Sequence, residues 1–240
     1  MRTVVRLCAF FAHLYQHMPW EIALNALALL VALALRPWRM LAPRRLRTPQ
    51  GPVSEPSPLI TPLLATLVLL PWMWALPTLT HMPLQLQWSG ACLVVLMLGW
   101  PLAVLVLVGV GGLAWLLSPA MDWGQALAAM TWQGVVPATL ALCLGALLRS
   151  LTGTRPFVYV LGRAFLGTVA CLFAAGALAQ FGGHELPGVD EDLSMVARWL
   201  MAWGDGYVTG MLTAVFVAFK PSWLATWSDR LYLPPPGKTD

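Results

Sequence analysis

Asp205 is the residue whose type and place most invite chemistry. It stands in Trp203-Gly204-Asp205-Gly206-Tyr207-Val208-Thr209-Gly210, inside an apolar stretch that starts near Met195. Ten residues at about 1.5 Å each put it about 15 Å along a helix. A carboxylate at membrane depth is costly and faces the inside of a bundle, where it serves as a ligand, coupling or gating group or as a paired structural acid at a helix break. Glu21, Asn25, Gln85, Gln87, Gln125 and Gln133 all fall in the outer halves of other apolar stretches. With Asp205 they line a cavity open to the outside, or they bond one helix to another. The candidate lining set for a solute is Asp205, Gln87, Cys92 and Thr209. In it Asp205 supplies negative charge or an acceptor, Gln87 a neutral oxygen, and Cys92 a soft sulfur for a metal.

Other residues carry weaker signals. Gly206 and Gly210 form a G-x-x-x-G spacing, which lets a neighbouring helix approach closely and reads as packing. Arg163 sits about 10 Å from the inner end of its stretch, shallow enough to reach the cytoplasmic interface and at a different depth from Asp205. His13 and His17 are four residues apart on one helix face, a weak candidate pair of metal ligands beside the plainer reading of interfacial residues. His81 and His184 read as loop residues. Cys8, Cys92, Cys143 and Cys171 lie singly in apolar stretches, without C-x-x-C spacing, as packing residues do. No metalloprotease, serine-hydrolase or nucleotide-binding signature occurs, so the expectation is no enzyme.

The elements that position these groups follow from composition. The chain is 59% hydrophobic and 10% charged, against roughly a quarter charged in soluble domains. A helical span needs about 20 mostly apolar residues. Laid along the sequence, that ruler gives an all-α membrane bundle of about seven spans in a single domain, at 20–35, 59–79, 84–99, 101–117, 125–148, 157–181 and 195–219. Gly99, Trp100 and Pro101 break the long tract at 84–117. Two short spans joined by a tight turn are the reading taken, and a re-entrant hairpin is the alternative. Residues 1–19 read as an interfacial N-terminal segment, with Met18 as an alternative start, and no cleaved signal peptide is expected.

Orientation follows from Lys and Arg, which are retained on the cytoplasmic side. Arg36, Arg39, Arg44, Arg45 and Arg47, then Arg149 and Arg155, then Lys220, Arg230 and Lys238 all fall on one side if every span crosses. The N-terminus is then outside, 36–58 is a basic, Pro-rich, non-helical cytoplasmic loop, and 220–240 is a cytoplasmic tail. The net charge of +4 is loop charge, and nucleic acid is not an expected partner.

Four blocks carry a resemblance. They are Gly90-Ala91-Cys92 running to Leu98-Gly99-Trp100-Pro101, Pro156-Phe157-Val158-Tyr159 with Ala164-Phe165-Leu166-Gly167, Asp205-Gly206-Tyr207-Val208-Thr209-Gly210-Met211, and Lys220-Pro221-Ser222-Trp223-Leu224-Ala225-Thr226-Trp227-Ser228-Asp229 ending in Tyr232-Leu233. Over about residues 85–233 the chain resembles the permease family of energy-coupling factor ABC transporters, the group of the cobalt-transport membrane protein CbiM. The resemblance implies a multi-pass protein of the bacterial inner membrane that captures a substrate, with a transition-metal ion such as cobalt or nickel as the family's cargo. It also implies a separate coupling transmembrane protein and ATPase subunits as partners. The family's metal-binding pattern implies His at position 2, His at 87, Asn at 163, Glu at 205 and Asn at 209. This chain has Arg2, Gln87, Arg163, Asp205 and Thr209 instead, and an amide is a poor ligand for cobalt or nickel.

The leading expectation is a transport subunit whose cavity captures a solute. The alternative is a non-transporting scaffold or assembly factor that tolerates cavity substitutions. A third class, a membrane metalloenzyme or haem protein, needs more convergent His or Glu at one depth than the sequence offers.

Overall fold

Uncharged apolar runs become helices because a helix pairs every backbone N–H and C=O within itself, the condition for crossing lipid. The computed structural model describes residues 20–48, 51–80, 88–153, 155–184, 186 and 189–232. Helix α1 covers Trp20–Ala34. A short 3₁₀ turn at Pro37–Leu41 follows, then a hairpin of β1 (Arg44–Thr48) and β2 (Gly51–Glu55), with Arg44 opposite Glu55. The remaining elements are α2 (Ile60–Thr80), α3 (Ala91–Leu98), α4 (Trp100–Leu117), α5 (Trp123–Ala128), α6 (Val136–Thr152), α7 (Gly167–Phe181), α8 (Glu191–Phe219) and α9 (Asp229–Tyr232). A π-helical segment, Ala129–Val135, joins α5 to α6, and another, Val158–Leu166, leads into α7.

Five helices are long and apolar enough to cross a membrane: Ile60–Thr80, Trp100–Leu117, Trp123–Thr152, Val158–Phe181 and Leu193–Phe219. Their outer faces carry Leu64, Val68, Leu69, Trp72, Leu116, Leu200, Tyr207 and Met211, all exposed. A soluble monomer rarely leaves an apolar surface so extensive to water, whereas lipid takes it without cost.

The expected span at 84–99 differs from what forms. Its helical part among the described residues is α3, eight residues, all buried, or about 12 Å of helix against a hydrocarbon core of about 30 Å. Residues 81–87 lie outside the described residues, and Trp88–Gly90 are not helical. The reason lies in partners rather than propensity. Three other helices bond the backbone and side chain of Ser89, as detailed below, and Gly90 turns with φ of 65°. The break expected at Gly99–Pro101 is present: Gly99 takes φ of 75° and α4 begins at Trp100 with Pro101 in its first turn. The segment at 36–58 is also more regular than an open loop, holding the 3₁₀ turn and the hairpin.

Contacts sort the helix termini into two ends of the bundle. At one end Glu21 meets His184, Thr78 meets Ser118, and Trp115 packs on Trp123. At the other, the Ser57 hydroxyl bonds the Met40 carbonyl, the Met40 side chain covers Gly99, and residues 224–227 cap the last carbonyls of α3. The long helices run between these ends, and α3 covers only the part nearer the second.

Lipid gives no hydrophobic force between helices, so close backbone approach and interhelical hydrogen bonds take its place. Gly206 and Gly210 show the first device. A Cβ on Gly206 would lie 2.5 Å from Val169 Cγ2, and one on Gly210 would lie 2.9 Å from Phe165 Cβ. The second device ties α1 to the π-helical segment, where Asn25 donates to Thr131 Oγ1 at 2.6 Å and Trp132 Nε1 donates to Glu21 at 2.7 Å.

Candidate functional site

The site is built around Ser89, in the non-helical chain just before α3. Its backbone N–H donates to Asp205 Oδ2 at 3.0 Å, and its hydroxyl donates to the Gln133 carbonyl at 2.6 Å. Its own carbonyl accepts from Trp74 Nε1 at 3.1 Å, and its Oγ accepts from Ala91 N at 3.2 Å. One residue thus joins α2, α3, the π-helical segment and α8. Backbone left without a helical partner at membrane depth must be bonded by other protein groups, and Trp74 and Asp205 do this here. Asp205 is 5% exposed, and its second oxygen has no hydrogen-bond donor among the described residues.

A cavity of about 260 Å³ opens beside this junction. Thr78, Ser89, Gln125, Gln133 and Asp205 line it with hydroxyls, amides and one carboxylate, and Arg198 and His184 add a guanidinium and an imidazole. Leu172, Met201, Ala202 and the ring of Trp132 supply apolar wall. The π-helical segment matters because its wider turns offset Trp132 and Gln133 from an α-helical register, a device frequent at functional sites. Arg198 is held in place: Nε donates to Gln180 Oε1 at 3.2 Å, and a terminal nitrogen donates to the His184 carbonyl at 2.5 Å. The His184 ring pairs with Glu21 at 2.8 Å, where Glu21 also receives Trp132. Gln125 both lines the cavity and closes a capping box with Asp122, whose Oδ1 accepts from Gln125 N at 2.7 Å.

The sequence-derived candidates separate into groups. Asp205, Gln125 and Gln133 border the cavity, whereas Glu21 and Asn25 are engaged in bonds between helices. Gln87 and Gln85, with His81, His13 and His17, lie outside the described residues. Cys92 does not reach the cavity. It is buried against Cys171 and Thr168 and borders a void of about 10 Å³ with Arg163. Thr209 is fully buried one turn below Asp205, and its hydroxyl has no partner among the described residues; Thr213, one turn further, is the same. Arg163 packs over Gly145, where an added Cβ would lie 2.7 Å from its Nε, and 5.7 Å from the Tyr159 ring centre. It forms no ion pair with Asp205.

Arg198, Ser89 and Thr78 were not singled out from sequence, and His184 was read there as a loop residue. For Arg198 a signal existed: it is the one cation in the apolar stretch 195–219, and it stands seven residues, two helical turns, before Asp205. Among the described residues no three of His, Cys, Asp and Glu converge as metal ligands.

Compared with protein-family models, curated proteins and solved structures, the chain matches none.

Proposed function

We propose that this protein is the solute-capturing membrane component of an uptake transporter of the energy-coupling factor ABC kind. In this reading seven segments cross an inner membrane, with the N-terminus outside and the tail in the cytoplasm. The segment that ends in α3 makes one of those crossings, with Trp88–Gly90 as non-helical chain before the helix. A coupling transmembrane protein and ATPases supply the energy, because this chain carries no nucleotide motif.

The observation that carries the reading is the interrupted crossing beside a buried carboxylate and a polar cavity. Irregular backbone persists at membrane depth where it is buried in protein or lines a water-filled space, and membrane transporters bind solutes at such breaks. Arg36, Arg39, Arg149, Arg155 and Lys220 gather at the end away from the cavity, so the positive-inside rule turns the cavity outward. The unpartnered hydroxyls of Thr209 and Thr213 continue the polar stripe of α8 inward from Asp205, a direction suited to a descending solute. A transition-metal cargo fits the cavity less well, because the His184 imidazole in its lining is paired with Glu21 and the other polar groups are amides, hydroxyls, one carboxylate and a guanidinium.

The test is a profile of everything the purified protein retains. Organic and elemental mass spectrometry of detergent-released wild type and Asp205→Asn is expected to find a solute in the first that is missing from the second. Identical profiles from two folded proteins would turn the reading to a scaffold.

A further inference from the structure

We propose that the cavity takes a small zwitterion, with its cationic end on Asp205 and its anionic end on Arg198. This rests on the reading of the cavity as a capture site, and it names the chemistry captured.

Asp205 and Arg198 stand on one helix, seven residues apart, so they share a face and their Cα atoms are separated by about 10 Å along the axis. Both line the same cavity of about 260 Å³. Neither has a counter-ion among the described residues. Asp205 accepts from a neutral N–H, and Arg198 donates to an amide oxygen and a carbonyl. The guanidinium crosses Gly176, where an added Cβ would meet its Nη1 at 3.5 Å, so a small residue clears its place. The other ionisable groups nearby, His184 and Glu21, are paired with each other at the rim.

Unpaired charges in a membrane interior are costly and mark sites where something pairs with them. A lone cation would satisfy Asp205 and be repelled by Arg198, and a lone anion would do the reverse. A molecule bearing both charges meets both groups at once, and the apolar wall of Leu172, Met201 and Ala202 suits a short aliphatic spacer. The volume equals about nine waters at about 30 Å³ each, which sets the solute at the scale of an amino acid.

The experiment is ligand-induced stabilisation of detergent-purified protein, followed by calorimetry on any hit. The probes are the twenty standard amino acids, γ-aminobutyrate, glycine betaine and phosphoethanolamine, with butyrate and butylamine as single-charge controls and cobalt as a cation control. At least one zwitterion is expected to stabilise the wild type. Its singly charged analogues should bind more than about tenfold more weakly, and Asp205→Asn and Arg198→Gln should each cost more than about tenfold, with Arg198→Lys recovering part of the loss. Both variants keep neutral hydrogen-bonding groups, and matching melting temperatures without ligand would establish that they fold. If phosphatidylethanolamine in the micelles displaces the free zwitterion, the class stands and the ligand is a lipid headgroup. Cobalt binding that depends on Asp205 but not on Arg198, with no zwitterion bound, would overturn the proposal while leaving solute capture intact. No probe bound by any variant would overturn the zwitterion, and an Asp205-independent retained profile would overturn capture as well.

Discussion

The two ends of α3 are finished in opposite ways. At Leu96 and Met97 the last carbonyls are fully engaged: Ala225 N donates to Met97 at 2.9 Å, Thr226 N reaches Leu96 at 3.3 Å, and Thr226 Oγ1 donates to Leu96 at 2.9 Å. Tyr159 joins Thr226 at 2.7 Å, and the rings of Tyr159, Trp227 and Tyr232 close over the junction. At Ser89 the bonds are as numerous but open onto a cavity, and the carboxylate that holds the backbone keeps one oxygen in reserve. A buried group already carrying its full set of partners has nothing to offer a solute, whereas a partly engaged charge does. The tail end of α3 is therefore read as anchorage and the cavity end as recognition. Because one short helix links them, the C-terminal segment is mechanically joined to the site.

Substitutions can break or sharpen that contrast. The largest effect is expected at Trp74, fully buried and bonded to the Ser89 carbonyl. Trp74→Ala should cost about 3 kcal/mol or more, seen as a large fall in melting temperature in detergent, and should abolish solute binding because Ser89 loses its support. Next is Gly206→Val, which places side-chain carbon against Val169 and the Phe165 carbonyl. It should lower stability by about 1–3 kcal/mol, read as reduced monodisperse yield and an earlier thermal transition. Thr226→Val removes both hydroxyl bonds at the tail end. A loss of about 1–2 kcal/mol with solute affinity unchanged would hold the two ends apart, and a loss of affinity instead would show them coupled. The smallest stability change belongs to Asp205→Asn, which retains an acceptor for Ser89 N–H. It should shift stability by less than about 1 kcal/mol while removing the bound solute. An intact solute load in that variant would place recognition elsewhere.

Much of this frame was legible in the sequence, for a simple reason. Apolar length marks the helices, and Gly99 with Pro101 marks the break before α4. Hydropathy does not distinguish a helix facing lipid from one buried in protein, which is why 84–99 read as a full span while, among its described residues, only Ala91–Leu98 is helical. Asp205 was legible because a lone acid among apolar residues has few uses. Ser89 was not, since its partners lie 116 and 44 residues away and no local pattern announces them. Cys92 and Thr209 share the right stretches with the site but sit below it, because a linear depth estimate carries no angle around the helix axis. Arg198 needed the two-turn relation to Asp205 to be recognised as a cavity residue.

The central claim is that the cavity beside Asp205 opens to the outside while the capped end of α3 faces the cytoplasm. Cysteine accessibility in intact cells tests it most directly, with Cys8, Cys92, Cys143 and Cys171 replaced and a single cysteine returned at Gln125 or Ser222. The account predicts that a membrane-impermeant maleimide labels Gln125→Cys in intact cells, that bound solute slows the reaction, and that Ser222→Cys reacts only after permeabilisation. Labelling of Ser222→Cys in intact cells, with Gln125→Cys silent until the membrane is opened, would contradict it.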